Sequence, residues 1–223
     1  MATIRLFLAG NHLGLNRSGK SRPTFGHLGY LIRAQEVVML FANFEAFVGD
    51  TVRTIARARP EVLKRAKRQV SWERVLASGS WEALMGHLVE QHVHNFDWKS
   101  LRKKFEAFDR EYGLVVTVPE HEVETLEALA AIRNLVVHND CRISPEYRIA
   151  TKCHQAVGRP VPIGAQFVDK AALAIAVVGS DIFEAVATKF LGADSESVRT
   201  SRIHRPVAND SKRSRHLRME ISG

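Results

Sequence analysis

One eleven-residue stretch carries the side chains best suited to chemistry: AAIRNLVVHND, Ala130 to Asp140. Arg133 keeps its charge at any physiological pH, and its planar fork can grip two oxygens of a phosphate or carboxylate at once. His138 titrates near neutrality and can take or give a proton. Asn134 and His138 are four residues apart, so on a helix they are neighbours, with Glu127 projecting near them. A fixed cation beside a titratable imidazole suits acid–base work on an anionic substrate.

These residues need a helix to hold them, and the sequence supplies one. Pro119 is followed by a stretch from about Glu120 to His138 whose start is crowded with glutamates, as favours a helix N-terminus. At 100° per residue, Val123, Leu126, Leu129, Ala130, Val136 and Val137 share one face, and Arg133 falls in its middle. An unpaired charge on an apolar stripe is costly, so Arg133 requires a carboxylate or an anion. Glu45 is the expected partner, because it lies among aromatics on another long helix; Asp50 is the alternative. A plain structural ion pair at Arg133 and a solvated histidine at His138 would satisfy the same residues.

That other helix spans Leu28 to Ala58, with Leu31, Val38, Leu40, Phe41, Phe44, Phe47, Val48, Val52 and Ile55 at helical spacing. Pro60 breaks it, and Glu61 to Gln69 reads as a short basic helix. Ser80 caps the segment SWEALMGHLVEQHVHNF, Asp97 is expected to cap DWKSLRKKFEAFDREYG, and Gly113 to end it. Leu114 to Val118 is a short strand or a loop, and the proline-containing stretch Cys141 to Gln166 a long structured loop. Phe167 to Gly192 is a final apolar helix. The fold class expected is all-α, an up-and-down bundle of about four main helices with extra short ones. Residues 1–27 form an irregular arm, 28–192 the helical domain, and 193–223 a flexible basic tail.

The chain has 223 residues and a formal net charge of +8, which favours an acidic partner, nucleic acid first. Lys64, Arg65, Lys67 and Arg68, with Arg102, Lys103 and Lys104, are the expected RNA-binding bases. The longest apolar runs fall short of a membrane span, so a soluble, cytoplasmic protein with no membrane partner is expected. Cys141 and Cys153 are two reduced thiols rather than a disulfide framework.

Two other patterns are weaker. Gly14 to Ser21, GLNRSGKS, matches the phosphate-loop spelling, but no strand runs directly into it, and Pro23, Gly26 and Gly29 follow where a helix should start. His87, Glu90, His92 and His94 lack the HExxH arrangement and are read as a solvated face. Neither a metal nor a cofactor is expected.

Arg133-Asn134 followed four residues later by His138, at the end of a long helix in an all-helical chain of this size, resembles the HEPN superfamily, and the RiboL-PSP-type HEPN domains in particular. The motif there is an Arg, four to six residues, and a His, often with a polar residue directly after the Arg. The acidic, aromatic-rich stretch FANFEAFVGD, Phe41 to Asp50, is a second point of similarity, and the resemblance covers roughly residues 28–192. It implies a helical bundle that dimerises and a metal-independent endoribonuclease, with Arg133, Asn134 and His138 catalytic and Glu45, Asp50, Glu127 and Asn139 supporting. RNA brings its own nucleophile, the 2′-hydroxyl, so a base, an acid and a cation suffice. The resemblance further implies a toxin or antiviral effector restrained by an antitoxin or another regulatory protein. The alternative is a catalytically inactive HEPN-like module that binds nucleic acid or protein.

Overall fold

The computed structural model describes residues 25–66 and 70–193 of the chain. The described residues form an all-α bundle. Seven helices follow in chain order: α1 Phe25–Ala58, α2 Trp72–Ala77, α3 Trp81–Asp97, α4 Leu101–Tyr112, α5 Glu120–His138, α6 Pro145–Thr151 and α7 Ala165–Phe190. A 3-10 helix, Pro60–Ala66, follows α1. The sequence features assigned to residues 1–24 (the apolar run Ile4 to Leu8 and the phosphate-loop spelling), to Lys67 and Arg68, and to the tail from 194 on lie outside the described residues, as does the side chain of Arg65.

α1 is the spine. Its buried residues Ala34, Val37, Phe41, Phe44, Val48, Val52 and Ile55 recur every three or four positions, so a single face is apolar from Ala34 to Ile55. That face meets α3, α5 and α7, and α5 also packs on α7. α7 buries mostly small side chains, Ala171, Ala174, Val177 and Val178 among them, which allow close approach. At Gly179 a Cβ would come within 3.8 Å of the Phe47 ring. Phe96 of α3 stacks with Phe108 and Tyr112 of α4 at centroid distances of 5.2 and 6.2 Å, which fixes this pair of helices. Each fully buried Phe or Leu contributes about 1.5–3 kcal/mol relative to an exposed one.

Local signals set most boundaries. Ser71, Ser80 and Ser144 each accept a first-turn N–H of the helix that follows. Gly113, at φ 62°, closes α4: its N–H donates to the Asp109 carbonyl and that of Leu114 to the Phe108 carbonyl. Asp97 is not the cap of α4. It is the last residue of α3, because Val93 and Phe96 carry the apolar stripe through to it, and Ser100 takes the cap position. Residues 114–118 form no strand, since no neighbouring strand exists among the described residues to pair with them. Inside the expected loop, Ser144 and Pro145 start α6, and Arg142 pairs with Pro160 in an isolated antiparallel bridge. The basic segment after Pro60 is a 3-10 helix rather than an α-helix, ending at Ala66 within the described residues.

One expectation about length is corrected. α7 is long and apolar enough to cross a membrane by length and composition, although one of its faces lies in the core. Counting uninterrupted apolar residues missed it, because Asp169, Lys170 and Asp181 punctuate a segment of high mean hydropathy.

Candidate functional site

Three helices bring charge to one place. α1 contributes Glu45, α4 contributes Lys104, and α5 contributes Arg133 and Asn134. The Arg133 Nη2 donates to Glu45 Oε2 at 2.7 Å, and its Nη1 donates to Asn134 Oδ1 at 3.0 Å. The guanidinium lies 5.2 Å from the Phe41 ring centroid, a cation–π distance. Lys104 Nζ stands 3.6 Å from the other Glu45 oxygen. A single carboxylate therefore faces two cations, and Glu45 answers the need for a partner that the position of Arg133 raised. The side chain of Lys104 is only 6% exposed, that of Arg133 27% and that of Glu45 32%, so these charges work in a partly shielded medium.

Beside them opens a cavity of about 750 Å³. Its polar lining includes Glu45, Lys104, Arg133, Asn134, Ser100 and Arg102, and Phe41, Leu101, Ala128 and Ala131 give it an apolar side. Glu127 also lines it, but holds Arg102 at 2.9 and 3.1 Å, and Glu120 accepts from the same guanidinium at 2.7 Å. These contacts clamp the start of α4 to α5 and push the Arg102 pKa up. Nearby, the Asp97 carboxyl is pushed up by burial, against the pull of Lys104.

The helical phase of α5 differs from the expectation. Ile132 and Leu135 are buried with Val123, Leu126, Leu129 and Val136, whereas Val137 is 52% exposed and Ala130 half-buried. α5 is buried from two sides, by α1 and α7, so its apolar arc is wide and Arg133 sits at the margin of it. His138 is exposed at the last turn and does not line the cavity. Five positions on a helix amount to about 140° around its axis, so Arg133 and His138 leave α5 in different directions. Asn134 is the link: it lines the cavity and lies one turn before His138.

The turn after the motif is tightly fastened. Asp140 and Cys141 both have positive φ, 55° and 59°, a sparsely populated region for such residues. The Cys141 N–H donates to the Leu135 carbonyl, the Arg142 N–H to the Asn139 carbonyl, and the Asn139 Nδ2 to the Arg142 carbonyl at 2.6 Å. Asn139 thus holds the turn itself and belongs to the end of the helix rather than to the cavity.

Other expected residues fall elsewhere. Asp50 pairs with Arg53, which also forms a two-pronged contact with Glu90 at 2.8 and 2.9 Å, so Asp50 is not the partner of Arg133. Lys104 is buried, not a surface base for RNA. The signal was present: Lys104 shares its helix face with Ala107, Phe108 and Tyr112, all buried. Arg102 is exposed but tied to two glutamates, while Lys64 and Lys103 are exposed. His92 is buried, not on a solvated face, and its Nε2 lies 2.5 Å from the Tyr112 hydroxyl. It falls three residues after Val89 and four before Phe96, on the core stripe. His94 accepts from the Trp98 indole N–H at 3.1 Å. Among the described residues no three metal-ligating side chains cluster. Cys141 and Cys153 are both free, and burial pushes the Cys141 thiol pKa up.

Comparison with protein-family models, with curated proteins and with solved structures finds no match to this chain.

Proposed function

We propose that this protein is a metal-independent endoribonuclease acting as a homodimer, with Arg133, Asn134 and His138 as its catalytic groups. The observation that carries the reading is the Arg133 arrangement. A half-buried guanidinium, oriented by Glu45 and the Phe41 ring, stands on the wall of a cavity next to an amide, with an exposed imidazole one turn further on. Glu45 fixes the fork before substrate arrives, so little reorganisation is needed when a phosphate approaches. Arg133 and Asn134 would hold the phosphate oxygens. An imidazole would take the proton of the 2′-hydroxyl as its oxygen attacks phosphorus, and a proton would pass to the departing 5′-oxygen. The products are a 2′,3′-cyclic phosphate and a 5′-hydroxyl. Because Arg133 and His138 diverge on one helix, a two-fold pairing of α5 ends is the arrangement that would supply a base, an acid and two cations together. The toxin or defence role, with a restraining partner protein, rests on this same reading.

The same divergence favours a second reading, an inactive module that binds nucleic acid or protein through its charged surface. Cleavage of total RNA by purified protein in EDTA separates the two. The nuclease reading expects cleavage by wild type, its loss in His138→Ala, and RNA binding retained in that variant. Cleavage that depends on a divalent ion, or that survives His138→Ala, overturns the assignment.

A further inference from the structure

α1 carries a second stripe on the side away from the core. Leu28, Ile32, Gln35, Met39, Ala42 and Ala46 are all exposed, and Leu28, Ile32 and Met39 are each more than half exposed. They follow one another at steps of four, three, four, three and four residues, the a/d spacing of a coiled-coil seam. At 100° per residue the six fall within about 40° either side of one line, opposite the buried Val37, Phe44 and Ile55. The stripe runs about 27 Å along the helix, at 1.5 Å per residue, and none of its six side chains is charged. An ordinary solvated face in this chain is different: the exposed side of α4 carries Arg102, Lys103, Glu106, Asp109 and Arg110. Val137, also exposed, leaves α5 one turn beyond Arg133 and about 40° from it around the axis, so it extends the apolar ground on the side turned to α1.

We infer that this stripe is the contact surface for a second copy of the chain, with the two α1 helices antiparallel about a two-fold axis at the level of Val37. The occupant follows from the sizes along the stripe. Its first half is bulky, Leu28 and Ile32, and its second half is small, Ala42 and Ala46. Reversing one copy sets Leu28 against Ala46, Ile32 against Ala42 and Gln35 against Met39, so each larger side chain at the two ends meets an alanine. The stripe is complementary to itself turned round, as a two-fold contact requires. A parallel pair would wedge the helices apart at one end and let them close at the other. Gln35, the one polar member, stands next to the axis, where a polar seam residue fixes register. The inference rests on the two-copy reading above and gives that pair its surface. Arg133 reaches Glu45 and Phe41, and Cys141 lies against Tyr30, so the end of α5 runs alongside α1 from the level of residue 45 to that of residue 30. The level of Val37 therefore falls at the last turn of α5, and a two-fold there sets both α5 ends beside the axis.

Sedimentation equilibrium of the full chain without RNA tests this, with charges placed at positions 32 and 42. Wild type is expected to be a dimer. Ile32→Lys and Ala42→Glu, each alone, should weaken self-association by about tenfold or more, since each sets an unpaired charge in the seam. Mixing the two variants, or combining both substitutions in one chain, should restore it, because the antiparallel register places position 32 against position 42. Leu76→Glu, at an exposed apolar residue of α2, should leave association unchanged. Circular dichroism should show the same helix content in every variant; loss of helix in Ile32→Lys or Ala42→Glu would assign the stripe to the fold of the single chain and overturn the inference. A monomeric wild type, a dimer indifferent to both charges, or no restoration on pairing them would overturn it as well. Cleavage in EDTA by a dimer indifferent to the charges leaves the nuclease reading standing on another surface. A dimer that responds as expected but cleaves nothing keeps this contact and removes the nuclease.

Discussion

Glu45 is the residue on which the charged cluster turns. It is the common partner of Arg133 at 2.7 Å and of Lys104 at 3.6 Å. Removing it leaves two shielded cations beside each other, which combines lost hydrogen bonding with repulsion. Glu45→Ala is expected to destabilise the fold by about 2–4 kcal/mol. Glu45→Gln keeps an acceptor of the same shape and should recover part of the loss. Urea denaturation of both variants checks this, and a Glu45→Ala cost no greater than the roughly 0.5 kcal/mol of an ordinary surface change would show the cluster to be incidental. Glu45 was the expected partner of Arg133, with Asp50 the alternative, because a charged residue in the middle of an apolar stripe advertises its need for a carboxylate. The role of Lys104 was hidden among neighbouring bases. Runs such as Arg102 to Lys104 read as one surface patch in sequence, while the 100° step of a helix sends each side chain to a different environment.

At the scale of elements, the end of α4 is held by a contact from a distant helix. Gly113 takes φ 62°, and its carbonyl accepts from Lys189 Nζ of α7 at 2.5 Å. A Cβ at Gly113 would stand 2.8 Å from that amine. Gly113→Ala should therefore lower stability by about 1–2 kcal/mol from the left-handed backbone alone, plus the displacement of Lys189. In a Lys189→Met background only the backbone part should remain. Thermal unfolding of the single and double variants measures the difference. If Lys189→Met changes nothing in the cost of Gly113→Ala, the two ends are not coupled. Helix starts and stops were the easiest elements to read, since serine caps, Pro119 and Gly113 act locally. The boundary at Asp97 was misread because aspartate is a good cap by type, and only the continued packing of Phe96 shows that α3 has not yet ended.

At the scale of the whole molecule, one continuous core joins α1, α3, α4, α5 and α7. This core fixes the direction of every side chain on α5, sending Arg133 inward to α1 and leaving His138 exposed. The nuclease reading then requires two copies. Sedimentation of the active protein is expected to give the mass of two chains, and mixing Arg133→Ala with His138→Ala should restore part of the activity absent from each, because a mixed pair retains one of each group. A monomer at concentrations that cleave RNA, or no rescue on mixing, would remove the two-fold site.

By itself the sequence determined the all-α class, most helix ends and the need of Arg133 for a carboxylate. These follow from local chemistry: apolar spacing, capping side chains, and the cost of an unpaired charge. Tertiary structure settled Glu45 over Asp50 as the acid that met that need, and alone decided that Lys104 and His92 are buried and that Arg133 rather than His138 faces the cavity. The reason is geometric. Periodicity marks which residues of a helix share a face, but how wide that face must be depends on how many neighbours cover it, and α5 is covered by α1 on one side and α7 on another.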